Sequence, residues 1–279
     1  MIKKLLLSKM AHQRLLSTPL YAVSAISVGT VSAIAYFYQR ALNRVHSTTH
    51  RPDWSFLNYV KTETENLTSQ EQSNFYRDSF KIRVPRSQLA LPPLQADSDT
   101  LLLRYARAFY TSPLFKLERL ILRLTSARGF RAPGQQVNDN IVETDQDILA
   151  REFQVGDTVA SEVFTVTGRE WNQIGLRFTL SHGKILGTSW LAVAGPETIV
   201  KELDGETSLV KSDEEEYYTF WFGTVLVPAG TTSAASLGSK FSSNSLTIQL
   251  HKLYSRMLLD MAVRNLAWMQ QKQSSTVNL

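Results

Sequence analysis

The N-terminal region of the chain contains an uncharged apolar segment that is long enough to cross a lipid bilayer. Residues 19–38 include no Asp, Glu, Lys or Arg, whereas basic residues flank both ends. Because a helix rises about 1.5 Å per residue, about 20 apolar residues span a hydrocarbon core of about 30 Å. The pattern predicts a single transmembrane helix over 19–38, preceded by a basic segment over 1–18 and followed by a linker over 39–74.

The N-terminus admits three interpretations: a retained single-pass anchor, a cleaved secretory signal, or a mitochondrial presequence followed by an inner-membrane anchor. A secretory signal has a shorter apolar core close to its N-terminus, which argues against the second. Residues 1–17 are basic, contain Leu and Ser, and lack acids, as transit peptides do. Similar numbers of basic residues flank both ends of the segment, so the orientation stays open. The mitochondrial inner membrane and the endoplasmic reticulum or another endomembrane are equally weighted.

Small residues recur along one side of the predicted transmembrane helix. Ala25, Gly29 and Ala33 are spaced four residues apart, which lets two helices approach closely in a bilayer. The spacing indicates weak self-association through this face as one property of the anchor, and the lipid bilayer itself is the main predicted partner.

The positive charge of the chain belongs to its N-terminal region. Residues 1–52 contain seven basic residues and no acid, whereas the remaining 227 residues contain 23 basic and 25 acidic ones. The following domain is therefore slightly acidic, which argues against nucleic acid as a partner. Cysteine is absent, which excludes disulfides and thiolate chemistry and favours a reducing compartment.

The pattern after the linker predicts an α+β domain over 75–271 and a flexible tail over 272–279. A strand near 80–84 precedes two helices, one with Asp97 and Asp99 at its start and one starting at Ser112-Pro113. Further strands follow over 162–170, 174–182, 185–194 and 217–227, the last covered on both faces. A long amphipathic helix over 246–271 completes the domain.

Each helical pattern also predicts a buried face. In the second helix the predicted core-facing stripe is apolar and consists of Leu114, Leu117, Leu120, Ile121 and Leu124. In the last helix the predicted solvent-facing stripe is polar and consists of Lys252, Arg256, Asp260 and Arg264. Its predicted apolar positions are Leu246, Leu250, Leu253, Tyr254, Met257, Met261 and Leu266.

Three stretches of the domain carry a resemblance to known proteins: RYARAFYTSPLFKLERLIL over 104–122, FQVGDTVASEVFTVTGREWNQIGLRFTLS over 153–181, and LHKLYSRMLLDMAVRNL over 250–266. They resemble an uncharacterised family of small domains of unknown function that is similar to the START-like, helix-grip superfamily of lipid-transfer proteins and polyketide cyclases. The resemblance implies a curved antiparallel sheet wrapped around a long C-terminal helix, with an apolar ligand cavity between them.

The sequence contains no established catalytic or cofactor motif. Phosphate-binding loops, nucleophile elbows and metal-ligand spacings are absent, so we predict no cofactor and no metal site. A Ser–His–acid site built on His182 or His251 has no supporting pattern. Aromatic walls with a few polar groups suit hydrophobic ligands, and this chemistry selects five candidate ligand-binding residues. They are Phe178, His182, Trp190, Tyr218 and Trp221.

Three functional hypotheses follow. The first is a membrane-anchored domain that binds a lipid or another hydrophobic small molecule in an apolar cavity. The second is a non-enzymatic interaction or assembly factor at a membrane. The third is a cyclase- or isomerase-type enzyme that uses the same cavity. An apolar cavity would favour the first and third hypotheses, and a buried ionisable group inside it would favour the enzyme.

Overall fold

The computed structural model describes residues 35–48, 76–89, 97–124, 143–160, 162–180, 185–198, 216–228 and 246–277. The chain divides into two compact units, 1–43 and 44–279. In the first unit, residues 35–43 are helical. Within the described residues, no helix is both long enough and apolar enough to cross a membrane. The predicted transmembrane segment lies outside them except for 35–38.

The second unit is an α+β domain in which one antiparallel sheet is combined with helices. Its strands are β1 (His46–Ser47), β2 (Tyr76–Pro85), β3 (Thr158–Val159), β4 (Phe164–Glu170), β5 (Gln173–Leu180), β6 (Ile185–Thr198) and β7 (Glu216–Pro228). Its helices are α1 (Arg86–Leu89), α2 (Ser98–Tyr110), α3 (Pro113–Leu124), α4 (Asp145–Ala150) and α5 (Leu246–Val277).

The seven strands that the structure describes form a sheet in the order β1-β2-β7-β6-β5-β4-β3. Strands β4 to β7 each pair with the next strand along the chain. The first long strand, β2, pairs with the last strand, β7, and Phe80 lies opposite Phe222. This pairing places β7 inside the sheet, and most of its described side chains are buried. The prediction of a strand covered on both faces is confirmed for residues 217–226.

Two short strand features differ from the sequence-based expectation. His46 and Ser47, which the sequence assigns to the linker, pair with Lys81 and Phe80. The ladder between β6 and β7 shifts register between Ala194 and Glu197, where Gly195 adopts a positive φ of 136° that other residues rarely adopt.

The starts of α2 and α3 follow the capping signals in the sequence. Asp97 accepts a hydrogen bond from the backbone N–H of Thr100 at 2.6 Å, which satisfies one of the donors left open at the start of α2. Ser112 accepts one from Phe115 N–H at 3.4 Å, and Pro113 occupies the first position of α3. The predicted positions of both helix starts are confirmed.

The C-terminal half of α5 packs closely against α2. Ala106 and Ala108 of α2 and Ala262 of α5 are fully buried, and their small side chains permit a close approach. Asn265 fixes this contact by donating hydrogen bonds to the Ala108 carbonyl at 2.8 Å and to Thr111 Oγ1 at 3.0 Å. The two helices are therefore held together by both apolar burial and satisfied polar groups.

The predicted orientation of α3 is wrong for three of the five stripe residues, whereas Leu114 packs against the core. Leu117, Leu120 and Ile121 are about half exposed, whereas Phe115 and Leu122 are buried. Phe115 packs edge-on against Tyr110, with ring centroids 4.7 Å apart. This aromatic contact stabilises the observed orientation of α3, even though the orientation leaves most of the leucine stripe exposed. The face that turns inward thus carries fewer apolar residues than the face that contacts solvent.

The predicted polar stripe of α5 is also only partly correct. Asp260 is buried and forms an ion pair with Arg44 at 2.8 Å, so this position belongs to the covered side of the helix. Leu246 and Leu250, which the pattern assigns to the apolar face, are exposed, whereas Ile248 is buried. The ion pair with Arg44 explains why Asp260 is buried at a position that the helical periodicity assigns to solvent.

The orientation of α3 predicts a difference between two identical substitutions on the same helix. Leu122→Ala removes a fully buried side chain and should lower the free energy of unfolding by about 2–5 kcal/mol. Leu117→Ala removes a side chain that is 52% exposed and should change it by less than about 0.5 kcal/mol. Urea denaturation of the two variants measures the difference, and equal losses would contradict the observed orientation.

Candidate functional site

A cavity of about 300 Å³ that is partly open to solvent lies in the second unit, between the N-terminal half of α5, the α2–α3 pair and the sheet. Helices α2 and α3 contribute Phe109, Tyr110, Phe115 and Glu118, the sheet contributes Phe164, Phe178, Ser189, Phe222, Thr224 and Leu226, and α5 contributes His251, Tyr254 and Leu258. The volume is at the lower end of the range of about 300–1,000 Å³ that small-molecule sites occupy.

Aromatic rings form most of the cavity wall and hold one another in place. Phe164 of β4 lies 5.2 Å from Phe178 of β5 and 6.0 Å from Phe115 of α3, measured between ring centroids. Phe109 of α2 lies 5.0 Å from Phe222 of β7. Such tilted pairs stabilise the walls beyond simple area burial, so that the rings define a fixed apolar surface.

A carboxyl group from α3 stands inside this apolar surface. Tyr254 of α5 donates a short hydrogen bond to Oε2 of Glu118, which joins α3 and α5 at the cavity wall. Burial raises the pKa of Glu118, and the Tyr254 hydrogen bond and the nearby His251 only partly oppose this effect. Burial and the neighbouring carboxyl raise the pKa of Tyr254 as well, so its hydroxyl stays protonated.

A second polar cluster connects α5 to the sheet. His251 Nε2 lies 3.2 Å from Oδ2 of Asp78, a buried carboxyl on β2. Tyr76 donates a hydrogen bond to the same oxygen at 2.7 Å, and the backbone N–H of Thr224 donates to Oδ1 at 3.0 Å. Asp78 is thus fully occupied by partners that fold the protein, and it orients the His251 ring at the cavity wall.

His251 does not complete a Ser–His–acid site. Ser255 Oγ lies 3.4 Å from Nε2 of His251, the same nitrogen that faces Asp78. A hydrolytic triad needs the nucleophile at one ring nitrogen and the carboxylate at the other. This arrangement therefore orients a histidine and does not activate a serine.

On the helix side of the cavity, Tyr110 extends the polar wall toward the sheet. It is fully buried, and its hydroxyl hydrogen-bonds with Ser189 of β6. Desolvation raises the pKa of Tyr110, so it also remains a neutral phenol. The cavity thus combines apolar walls with phenol and carboxyl groups that favour their uncharged forms.

The structure brings one of the five predicted ligand-binding residues to the cavity. Phe178 lines it, whereas Tyr218 is buried in the core away from it. Strand alternation places Trp190 and Trp221 on the sheet face opposite Ser189 and Phe222. His182 lies outside the described residues. A ligand contact for each of these residues stays a prediction.

Sequence analysis missed the polar residues that the fold brings together. Glu118 lies off the apolar stripe that the sequence predicts for α3, and Asp78 precedes the strand predicted near 80–84. A buried face containing Phe115, Glu118 and Leu122 has helical spacing and was available as a signal. The more continuous leucine stripe on the other side obscured it.

In the part of the chain that the structure describes, no group of three or more His, Cys, Asp or Glu side chains is arranged to hold a metal ion.

Comparisons with known proteins give no family assignment. The sequence matches no protein-family model and no curated protein. The chemistry of the cavity therefore has to follow from the residues that line it.

The raised pKa of Glu118 predicts a pH-dependent effect of Glu118→Gln on stability. A carboxyl whose pKa is higher in the folded state stabilises the fold below its ordinary pKa of 4.5, and this contribution is lost as the pH rises through the raised value. The variant should therefore gain stability relative to the wild type as the pH increases, by at most about 1.4 kcal/mol per pH unit.

Chemical denaturation at several pH values between 4 and 8 measures this difference. Tyr254, His251 and Tyr110 face the carboxyl and are unchanged in the variant. Glu152→Gln is the matched control, because Glu152 is largely exposed and pairs with Arg107 at the surface. A stability difference for Glu118→Gln that is independent of pH would show that the carboxyl is not desolvated.

Proposed function

We propose that the second unit binds a small hydrophobic molecule in the cavity between α5 and the sheet. The observation that carries this proposal is the cavity of about 300 Å³ itself, with its aromatic wall and few polar groups. Apolar concave sites with a small number of placed polar groups are the usual form of ligand-binding pockets. The pairing of the first long strand with the last, and the long C-terminal helix, are compatible with the helix-grip arrangement that the sequence resembles.

Membrane anchorage is the second part of the proposal and rests on the sequence. The uncharged segment 19–38 would hold the domain beside a bilayer, which is a reservoir of apolar ligands. A linker with the composition of 39–74 would allow the domain to move relative to the membrane. The two parts are independent, because the cavity can bind a ligand with or without the anchor.

Enzymatic proton transfer is the alternative that a specific observation favours. Glu118 is a desolvated carboxyl in the cavity with a phenol partner, Tyr254, and such groups serve as general acids or bases. A cyclase or isomerase would use this group on the bound molecule. A carrier releases its ligand unchanged, so analysis of the bound molecule before and after incubation distinguishes the two.

The assembly-factor hypothesis relies on a different surface. The exposed stripe of Leu117, Leu120 and Ile121 on α3 is the kind of apolar surface that protein partners cover. It does not use the cavity, whose concave aromatic wall is a feature that small-molecule sites share. The cavity therefore gives the ligand-binding proposal the stronger physical support.

The ligand-binding proposal predicts that a small apolar molecule co-purifies with the full chain. Mass spectrometry of an organic extract should find it in near-stoichiometric amount in the wild type. Leu226→Trp places a larger side chain into the cavity wall and should reduce the amount at least tenfold. Leu149→Trp makes the same change on α4, away from the cavity, and should leave it unchanged.

Two results would contradict the proposal. The first is a folded wild-type chain that carries no such molecule and takes up none from a lipid extract. The second is an equal amount of the molecule in the extracts of Leu226→Trp and the wild type, because a ligand in this cavity must compete with the tryptophan side chain.

A further inference from the structure

The polar groups of the cavity are confined to a few positions, which constrains where the polar part of a ligand can lie. Glu118 and Tyr254 meet where α3 faces α5, and His251 lies one helical turn before Tyr254. The lining contributed by β4, β5 and α2 is mainly aromatic, and the Tyr110 hydroxyl of α2 is already hydrogen-bonded with Ser189. A ligand with one polar group therefore has a preferred orientation in the cavity.

The Glu118–Tyr254 pair retains hydrogen-bonding capacity after its own contact is made. Tyr254 uses its single proton on Oε2 of Glu118. The other carboxyl oxygen, Oε1, takes no hydrogen bond from the residues that the structure describes. Oε1 can accept a hydrogen bond from a ligand hydroxyl when the carboxyl is ionised, and it can donate one to a ligand oxygen when the carboxyl is protonated.

The same geometry opposes a negatively charged ligand. His251, a basic side chain of the cavity wall, already faces Asp78 at 3.2 Å. The carboxylate of Asp78 would repel an anion, and the aromatic wall would not solvate it. A fatty-acid carboxylate is therefore a poor fit, whereas a hydroxyl or carbonyl group is a good one.

We propose that the ligand is an uncharged apolar molecule that binds with one hydroxyl or carbonyl oxygen at Glu118 and Tyr254. This inference rests on the proposed ligand-binding function and specifies its chemical class. The cavity volume of about 300 Å³ limits the ligand to the size of a small ring system or a short chain. Glu118 recognises the oxygen, and Tyr254 fixes the position of the carboxyl.

Three probes with the same ring system test this class: naphthalene, 1-naphthol and 1-naphthoate. Binding to the full chain in lipid nanodiscs is measured by calorimetry at pH 7, with empty nanodiscs as the blank. The wild type should bind 1-naphthol about tenfold more tightly than naphthalene, as expected for one additional buried hydrogen bond. It should bind 1-naphthoate more weakly than either of the other probes.

Variants locate the preference at the carboxyl. Glu118→Leu should abolish the preference for 1-naphthol while keeping naphthalene binding, which also shows that the variant is folded. Glu118→Gln should retain most of the preference, because an amide still donates a hydrogen bond. Tyr254→Phe should reduce it, and the surface variant Glu152→Leu should match the wild type.

The outcomes that contradict this inference differ from the outcome that contradicts the ligand-binding proposal. Equal affinities for naphthalene and 1-naphthol in the wild type, tight binding of 1-naphthoate, or a preference that persists in Glu118→Leu would overturn the inference and leave the ligand-binding function intact. If no probe binds in a manner that Leu226→Trp reduces, the cavity is not a ligand site, and both proposals fail.

Discussion

The packing of α5 against the rest of the domain changes along its length, and the cavity depends on this change. In its C-terminal half, small residues and the hydrogen bonds of Asn265 hold α5 against α2. In its N-terminal half, polar side chains of the helix contact α3 and β2. Tyr254 reaches Glu118, and His251 reaches Asp78. These polar contacts hold the helix in place where an apolar interior would otherwise pack more closely.

The aromatic residues of the sheet and of α2 then keep the open space from closing. Rings at Phe109, Phe164 and Phe222 contact one another or their neighbours at centroid distances of 5–6 Å, and their rigid shapes fit together at the wall. Flexible aliphatic side chains would fill such a space more readily. The cavity thus combines rigid aromatic walls with two polar contacts that fix α5 beside it.

The sequence predicted the fold better than it predicted the site. The order of strands and helices, the cap at Asp97 and the start at Pro113 follow from local signals, because capping and chain alternation act over a few residues. The orientation of α3 does not, because the aromatic packing of Phe115 depends on residues distant in the sequence. The same limit applies to Asp260, whose partner Arg44 lies more than 200 residues away.

The candidate site shows this limit most clearly. Its aromatic wall was anticipated at Phe178, but Glu118, Asp78 and His251 come together only through the fold. Each of them has an ordinary surface-like context in the sequence. A buried polar group is recognised by its partners, and those partners are supplied by tertiary structure.

The most direct test of the account is a high-resolution crystal structure of the chain purified without added ligand. If the cavity binds an apolar ligand, we expect continuous density for that molecule in the cavity, with an oxygen atom about 3 Å from the Glu118 carboxyl. A cavity filled by rearranged side chains, with Glu118 turned to solvent and Tyr254 packed into the space, would contradict it.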